Sequence, residues 1–381
     1  MKPCAAQGVD VPRPIEALIH PDALAHNLTV VRQHTPHARV WAVLKANAYG
    51  HGLAWAYEAL RGADGFAVLE VDEAISLRQM GWRGPVLLLE GCFEARDLEA
   101  CSSWSLWHVV HCEEQIDWLS RHKTEHPHHV HLKINTGMNR LGFASAQARS
   151  AWARLQALPQ VEDITLMTHF ATADDGRGVA DQMRLFESVT RDLPGSRCLS
   201  NSAAILRHPQ LGTDWVRSGI MSYGHSPDYP LHSAAQWGLR PAMTLRTRLI
   251  ATQALQPGDT VGYGSTFCAP HAMRIGIAAC GYADGYPRAC ATGTPVLVAG
   301  QRTRTVGRVS MDMLAVDLSA LAPGDPAPGV GSEVTLWGYG PGGAVLAADE
   351  VAHAGATIAY ELTCAVAARV PKRLASGGPS E

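Results

Sequence analysis

Eight short apolar segments, separated by helical patterns, constrain the fold of this chain more than any other feature. The segments share a run of aliphatic or β-branched residues and lie at 40–45, 65–70, 85–90, 107–111, 129–135, 164–170, 197–203 and 215–220. Between them lie stretches such as 71–80, in which apolar residues recur at the spacing of one helix face until Gly81. Parallel strands covered by helices are apolar on both faces. The pattern therefore predicts a (β/α)8 barrel of the TIM type.

An open, doubly wound sheet is the structural alternative, because it also alternates strands and helices. Such folds commonly bind nucleotides through a glycine-rich turn after the first strand, and the chain has neither G-x-G-x-x-G at that place nor a Walker lysine motif. The barrel is favoured, and it predicts that chemistry is carried by residues at the carboxyl ends of its strands.

The pattern changes after about residue 240, and a chain of 381 residues is long enough for two cores. Apolar runs separated by turns follow at 243–255, 273–280, 294–299, 303–318 and 333–337, and helical spacing is scarce before 349–354. This predicts a mostly β C-terminal domain. We expect the barrel to span 14–239 and the β domain 240–374, with residues 1–13 associated with the β domain and 375–381 forming a disordered tail.

The composition excludes several function classes. The chain is 46% hydrophobic and 18% charged, with a formal net charge of −3. This balance does not fit a disordered chain or a nucleic-acid-binding surface. No run approaches the ~18 apolar residues of a membrane span, and the amino terminus lacks the apolar stretch of a secretory signal. We therefore expect a small-molecule substrate as partner, with no nucleic acid and no membrane.

Cysteine and histidine usage indicates the compartment and the absence of a metal. The nine cysteines include no C-x-x-C pair, which favours reduced thiols and a cytoplasmic location. The histidines between 122 and 131 span a predicted helix end, Pro127 and a strand start, so we expect no metal site there.

Polar residues stand at or just after the ends of several predicted strands: Lys45, Lys133, Arg140, His169, Ser202 and Arg217. Each is ordinary by itself, since Arg140 fits a surface charge and His169 a core histidine. In a barrel, however, the carboxyl ends of all strands meet at one mouth. Lys45 also ends a rigid apolar run and enters a loop of small residues, where its amine can hold a carbonyl cofactor as a Schiff base.

The motifs around these residues resemble those of bacterial alanine racemases. In the barrel region the resemblance is carried by VLKANAYGHG (43–52), LKINTGMNRLG (132–142), MTHFA (167–171), NSAA (201–204) and VRSGI (216–220). In the second region it is carried by VGYG (261–264), GYADGY (281–286), VSMD (309–312) and AYEL (359–362). The motifs follow the order and spacing of that family and cover essentially the whole chain.

The resemblance implies a cofactor, an assembly and two catalytic bases. It implies pyridoxal 5'-phosphate bound to Lys45 and a head-to-tail homodimer in which the partner's β domain completes each active site. Racemisation needs acid/base groups on both faces of the substrate. The resemblance assigns the proton of D-alanine to Lys45 and that of L-alanine to Tyr263.

It also implies roles for the remaining site residues. The cofactor phosphate is assigned to Tyr49, Ser202, Gly219, Ile220 and Tyr360, the cofactor ring to His169 and Arg217, the substrate to Arg140, Met311 and Tyr282, and a carbamate to Lys133. Arginine stays protonated and cannot easily give up its proton. Arg217 against the pyridine nitrogen therefore keeps the ring a weak electron sink, which favours racemisation over transamination or decarboxylation.

Three other functions remain open at this point: a basic amino-acid decarboxylase, a broad-specificity racemase and a pyridoxal-phosphate carrier. Arg217 argues against the decarboxylase, and the crowding expected from Met311 and Tyr282 argues against exported broad-specificity racemases. A carrier needs only the barrel, whereas this chain continues into a region that brings Tyr263. For a racemase, the sequence leaves open whether D-alanine is made for peptidoglycan or broken down.

Overall fold

The computed structural model describes residues 13–124, 126–290, 292–319, 321–322 and 327–375. The chain divides into two units. The barrel unit is Pro21–Arg240, and the β unit comprises the described parts of Met1–His20 and Pro241–Glu381. The predictions made for residues 1–12 and for the tail at 376–381 lie outside the described residues.

Strands and helices alternate in the barrel unit, where two helices follow β2, and strands dominate in the β unit. The strands in chain order are β1 (Glu16–Ile19), β2 (Arg39–Val43), β3 (Gly65–Val68), β4 (Val86–Leu88), β5 (Trp107–Val110), β6 (His128–Lys133), β7 (Val161–Met167), β8 (Arg197–Cys198), β9 (Trp215–Ser218), β10 (Met243–Leu255), β11 (Thr260–Val261), β12 (Phe267–Cys268), β13 (Met273–Ala278), β14 (Pro295–Val298), β15 (Gln301–Val306), β16 (Leu314–Asp317), β17 (Glu333–Tyr339), β18 (Val345–Leu346) and β19 (Lys372–Leu374). The helices are α1 (Pro21–His34), α2 (Lys45–Tyr49), α3 (Leu53–Ala59), α4 (Val71–Gln79), α5 (Asp97–Ser103), α6 (Glu113–Arg121), α7 (Ser145–Gln156), α8 (Ala180–Thr190), α9 (Ser202–Arg207), α10 (Ala348–Ala354) and α11 (Ala359–Ala365).

Strands β2 to β9 close into a parallel barrel in sequence order. Each of them overlaps one of the eight apolar segments, so the predicted (β/α)8 barrel is confirmed. No helix in the described parts of the chain combines the length and the apolarity that crossing a bilayer requires.

Aromatic rings fill the interior of the barrel below its carboxyl end. The rings of Trp41 and Trp215 stack with their centroids 4.1 Å apart, and Trp107 meets Trp41 edge-on at 5.5 Å. The ring of His131 lies 5.8 Å from that of Trp41. Side chains two residues apart on a strand share a face. Lys133 on β6 and Arg217 on β9 therefore form the next inward layer above the rings.

The β unit is built on a nine-stranded sheet in the order β18–β17–β14–β15–β16–β13–β10–β1–β19, which confirms the predicted mostly β C-terminal region. Strand β1 pairs antiparallel with β10, from Glu16 opposite Arg246 to Ile19 opposite Met243. The sequence prediction had placed these residues in the barrel. Four residues carry too little pattern to reveal that they complete a sheet whose other strands lie far away in the sequence.

The segment that follows β2 is a left-handed turn. In α2 the backbone angles are φ 55° and ψ 49° at Ala46, 52° and 48° at Asn47, and 55° and 54° at Ala48, and φ is 51° at Tyr49. Left-handed helical conformation costs L-residues roughly 1–2 kcal/mol each because Cβ approaches the following carbonyl. Such strain persists only where the surroundings hold it, and it is frequent at functional sites. It occurs here immediately after Lys45.

Glycine substitution at Ala46 tests this strain. Glycine removes the Cβ clash, a gain of roughly 1–2 kcal/mol, and this is partly offset by ~0.4–1 kcal/mol of added entropy in the unfolded chain. We expect Ala46→Gly to leave the free energy of unfolding unchanged or to raise it. The matched control is Ala25→Gly on the exposed face of right-handed α1, which should lower it by about 1 kcal/mol. Urea unfolding followed by circular dichroism measures both, and equal losses in the two variants would contradict the left-handed turn.

Candidate active site

Arg217 at the end of β9 is a buried cation, with 4% of its surface exposed. Its guanidinium donates hydrogen bonds to the carbonyl oxygens of Cys198 at 2.7 Å, Thr168 at 2.8 Å and Leu199 at 2.9 Å. These carbonyls stand at or just after the ends of β7 and β8. None of these acceptors is a carboxylate, so the charge of Arg217 acts on the surrounding groups instead of being neutralised by an ion pair.

His169 lies within hydrogen-bonding distance of Arg217. Its Nδ1 lies 3.3 Å from Nη2 of Arg217. Because the guanidinium only donates, Nδ1 must accept, and the proton of the neutral ring stands on Nε2. Burial lowers the pKa of His169 well below its ordinary value, and the charges of Arg217 and Arg140 lower it further. His169 is therefore a neutral imidazole at physiological pH.

Lys133 and Arg140 line a small pocket that is also lined by Thr168 and His169. Burial lowers the pKa of Lys133 to about 8, and the charges of Arg217 and Arg140 contribute to this shift. Lys45 contributes in the same direction, while Glu90 opposes it. Several cations therefore share one end of the barrel, and this arrangement favours an anionic ligand.

Hydroxyl groups and backbone amides converge next to this cationic region. Ser202 Oγ accepts hydrogen bonds from the backbone N–H of Gly219 at 3.0 Å and, more weakly, from that of Met221 at 3.4 Å. A Cβ atom on Gly219 would stand 2.9 Å from Tyr49 Oη and 3.6 Å from Ser202 Oγ. A larger residue at 219 would therefore push the Tyr49 hydroxyl away. Hydroxyl and N–H donors around a glycine form the kind of cradle that binds phosphate oxygens.

The left-handed turn brings Tyr49 to this cradle. The Tyr49 ring packs on Tyr223 with centroids 4.6 Å apart, and Tyr223 donates a hydrogen bond to the carbonyl of Val43 at 2.7 Å. The end of β2 is thus held against the residues that follow β9. This contact connects the position of Tyr49 to that of Lys45 on the same turn.

A chain of hydrogen bonds behind His169 was not predicted from the sequence. Gln182 donates to Thr136 Oγ1 at 3.0 Å and to the carbonyl of His169 at 3.1 Å, while its Oε1 accepts from the N–H of Ala171 at 2.7 Å. Thr136 and Thr168 are joined at 2.7 Å. Gln182 reads in the sequence as a polar residue of an ordinary helix, and only its burial shows that it holds the strand end.

The predicted site residues fall into two sets. Those in the barrel unit are Lys45, Tyr49, Lys133, Arg140, His169, Ser202, Arg217, Gly219 and Ile220. Those in the β unit are Tyr263, Tyr282, Met311 and Tyr360. Tyr263 is 71% exposed, Met311 53% and Tyr282 40%. These three present large side chains at the surface of the β unit, whereas the polar residues of the barrel unit are mostly buried.

Comparison with known proteins decides the family. The family model for the alanine racemase N-terminal domain matches residues 19–227, and the model for the alanine racemase C-terminal domain matches 242–374. The chain belongs to the alanine racemase family. The resemblance seen in its motifs is thereby confirmed.

Individual relatives extend over nearly the whole chain. The chain is 65% identical to the alanine racemase of Leptothrix cholodnii over 95% of this chain and 98% of the relative. It is 63% identical to that of Methylibium petroleiphilum over 97% and 100%. Among solved structures, the biosynthetic alanine racemase from Pseudomonas aeruginosa superimposes with a TM-score of 0.90 at 44% identity, covering 96% of this chain and 100% of that one.

Removing the charge of Arg217 should raise the pKa of His169. We expect Arg217→Gln to do so while burial still keeps that pKa below its ordinary value. NMR titration of ¹⁵N-histidine-labelled, cofactor-free protein measures the shift, and Arg177→Gln, at an exposed arginine paired with Asp175, is the control. An unchanged titration in Arg217→Gln would contradict the assigned contact.

In the wild type, the stability that neutral His169 contributes is present above pH ~6.5 and is lost as pH falls toward its lowered native pKa.

Proposed function

We propose that this protein interconverts L-alanine and D-alanine, with pyridoxal 5'-phosphate as cofactor. The observation that carries the proposal is the nearly full-length similarity to proteins named alanine racemase, at 62–65% identity. The cationic end of the barrel and its hydroxyl cradle support it. A substrate carboxylate and a cofactor phosphate are the anions that such a site suits.

The residues of the barrel unit fit this cofactor. Tyr49, Ser202 and the backbone of Gly219 and Ile220 would hold the phosphate, with Tyr360 from the β unit. The space at Gly219 that a Cβ would fill is where close approach is needed. Lys45 would hold the aldehyde carbon. When bound, the cofactor supplies an electrophilic carbon for the substrate amine and a ring that accepts electron density.

Arg217 and His169 would control how strongly that ring withdraws electrons. Arg217 is protonated and, with its Nη atoms bound to carbonyls, cannot pass a proton to a ring nitrogen. Neutral His169 lies beside it and adds no charge. Arg140 would bind the substrate carboxylate, and Tyr282 and Met311 would limit the size of the substrate side chain.

Two bases are needed because a racemase removes a proton from one face of the α-carbon and returns one to the other. Lys45 would act on the face of the D-alanine proton and Tyr263 on that of L-alanine. Tyr263 is largely exposed on the β unit. A second copy of the chain can therefore receive it, which favours the head-to-tail homodimer with shared active sites. The division of the chain near residue 240, into a part that holds the cofactor and a part that supplies Tyr263, belongs to this proposal.

We place the reaction in the cytoplasm, where D-alanine is available for peptidoglycan synthesis or enters catabolism. The cysteine pattern supports this location. The relative from Pseudomonas aeruginosa is a biosynthetic alanine racemase, and the similarity to it favours the cell-wall role over the catabolic one.

Substitution of each base tests the mechanism in deuterated water with added pyridoxal phosphate. We expect the wild type to approach a racemic mixture from either enantiomer and to incorporate deuterium at the α-carbon. Tyr263→Phe should lose L-to-D turnover by about 100-fold or more while keeping the cofactor absorbance. Lys45→Ala should lose both racemisation and the cofactor absorbance. Tyr339→Phe, on strand β17 of the same unit, is the control and should retain activity.

Other outcomes point to other functions. A Lys45 variant that racemises alanine at the wild-type rate would exclude the mechanism. A cofactor-bound wild type that leaves every amino acid unchanged would favour a carrier. Release of carbon dioxide from lysine, arginine or ornithine would indicate a decarboxylase.

Lys133 is proposed to carry a carbamate. Its pKa of about 8 leaves an appreciable neutral fraction near pH 7.5, and a neutral amine attacks carbon dioxide, forming an N–C bond and releasing one proton. The product would exchange a buried positive charge for a negative one close to Arg140. We expect the cofactor-loaded protein in ¹³C-bicarbonate to show a carbamate signal by ¹³C NMR at pH 8 that weakens at pH 6, where the amine is protonated.

The control distinguishes Lys133 from other amines. Lys133→Met should remove the signal, whereas Lys123→Met, at an exposed lysine, should keep it. A signal that survives in Lys133→Met would place the carbamate elsewhere.

A further inference from the structure

Asp284 is a fully buried carboxylate in the β unit, outside the set of residues given a role so far. It ends the short turn Tyr282–Asp284. Its Oδ1 accepts from Arg13 Nη1 at 2.7 Å and from Arg369 Nε at 2.7 Å. Its Oδ2 accepts from Arg13 Nη2 at 3.1 Å and from the backbone N–H of Gly281 at 2.9 Å. Both carboxylate oxygens are thus bound twice.

This set of bonds keeps Asp284 ionised. Burial raises the pKa of this carboxyl group. The hydrogen bonds from Arg13, Arg369 and the Gly281 N–H, together with the charge of Arg13, outweigh burial, so the pKa of Asp284 lies below its ordinary value. Breaking one partner of a buried, hydrogen-bonded ion pair is costly because it leaves an uncompensated charge. The three side chains therefore act as one rigid group, which we call the Asp284 cluster (Arg13, Asp284 and Arg369).

The same arginines hold a second loop. Arg13 Nη2 donates to the carbonyl of Asp312 at 3.0 Å, and Arg369 Nη2 pairs with Asp312 Oδ1 at 2.5 Å. Asp312 follows Met311 directly. The cluster thus joins the turn that carries Tyr282 to the loop that carries Met311.

The two backbones are also pressed against each other. The N–H of Tyr282 donates to the carbonyl of Ser310 at 3.0 Å, and that of Ala283 to the carbonyl of Met311 at 3.0 Å. A Cβ on Gly281 would stand 2.3 Å from the Ser310 oxygen. Only glycine permits this approach. Tyr282 and Met311 therefore have anchored backbones while their side chains remain partly exposed.

We infer that the Asp284 cluster positions Tyr282 and Met311 and thereby sets the size of substrate side chain that the enzyme accepts. Asp284 acts through these two residues and is a positioning residue, not a catalytic one. The inference rests on the proposed function, in which Tyr282 and Met311 limit the substrate side chain. A looser cluster should accept larger side chains and bind alanine less tightly.

The test compares Asp284→Asn with Asp317→Asn in the full-length, cofactor-loaded protein. Asparagine keeps the shape of aspartate and removes its charge. Asp317 is the matched control because it is a buried aspartate of the same unit that pairs with an arginine, Arg304, at 3.2 Å. Racemisation of alanine and of 2-aminobutyrate, which is one methylene longer, is followed by circular dichroism, and KM and kcat are determined for each.

We expect Asp284→Asn to raise KM for alanine more than it lowers kcat. We also expect it to raise the ratio of kcat/KM for 2-aminobutyrate to that for alanine by about tenfold, since one methylene in a pocket changes specificity by roughly 10–200-fold. The cofactor absorbance should not change. Asp317→Asn should leave the ratio at its wild-type value.

An unchanged ratio in Asp284→Asn, or an equal change in Asp317→Asn, would overturn the inference. If Asp284→Asn does not fold, Arg369→Lys replaces it as the test. Lysine keeps the positive charge but cannot bind Asp284 and Asp312 together as the guanidinium does, so the ratio of kcat/KM for 2-aminobutyrate to that for alanine should rise by a smaller factor. An unchanged ratio would again overturn the inference. A wild type that racemises no amino acid would instead remove the proposed function itself, so the two failures are distinguishable.

Discussion

The chemistry of the barrel end depends on the burial of one permanent charge. Arg217 lies among carbonyls at or just after the ends of β7 and β8, and these dipoles bind its N–H groups without cancelling its charge. Burial lowers the pKa values of His169 and Lys133 below the ordinary ones, and the charge of Arg217 lowers both further. A barrel is suited to this, because closure brings the carboxyl ends of distant strands around a single point.

Much of the architecture could be predicted from the sequence because it rests on local periodicity. The apolar segments that became β2 to β9 and the long strand β10 each carry their own signal. Strand β1 does not, since its place is decided by pairing with β10. The left-handed turn was also missed. Alanine and tyrosine give no indication of positive φ, and the turn exists because Tyr49 packs on Tyr223 and because its surroundings hold it.

The positions of the candidate residues in the fold could be predicted where these residues stand in short motifs at strand ends, and could not where the partners are distant in the sequence. Lys45, His169 and Arg217 each lie next to a strand end, so that their position followed from the barrel. Gln182 and Asp284 look ordinary in the sequence. Arg13 and Asp284 are separated by most of the chain, and no local sequence pattern predicts that the buried carboxylate of Asp284 pairs with two arginines. Their importance follows from burial and hydrogen bonding, which only the folded chain displays.

The aromatic layer below Arg217 has a consequence for transport. Trp41, Trp107 and Trp215 fill the barrel interior with rings in mutual contact. In the described barrel residues, these rings therefore separate the cationic region from the amino-terminal end of the barrel. Ligands and solvent protons must arrive and depart through the same mouth, so a departing product occupies the route of the next substrate. A group that covers the carboxyl end of the barrel therefore affects both the entry of substrate and the release of product.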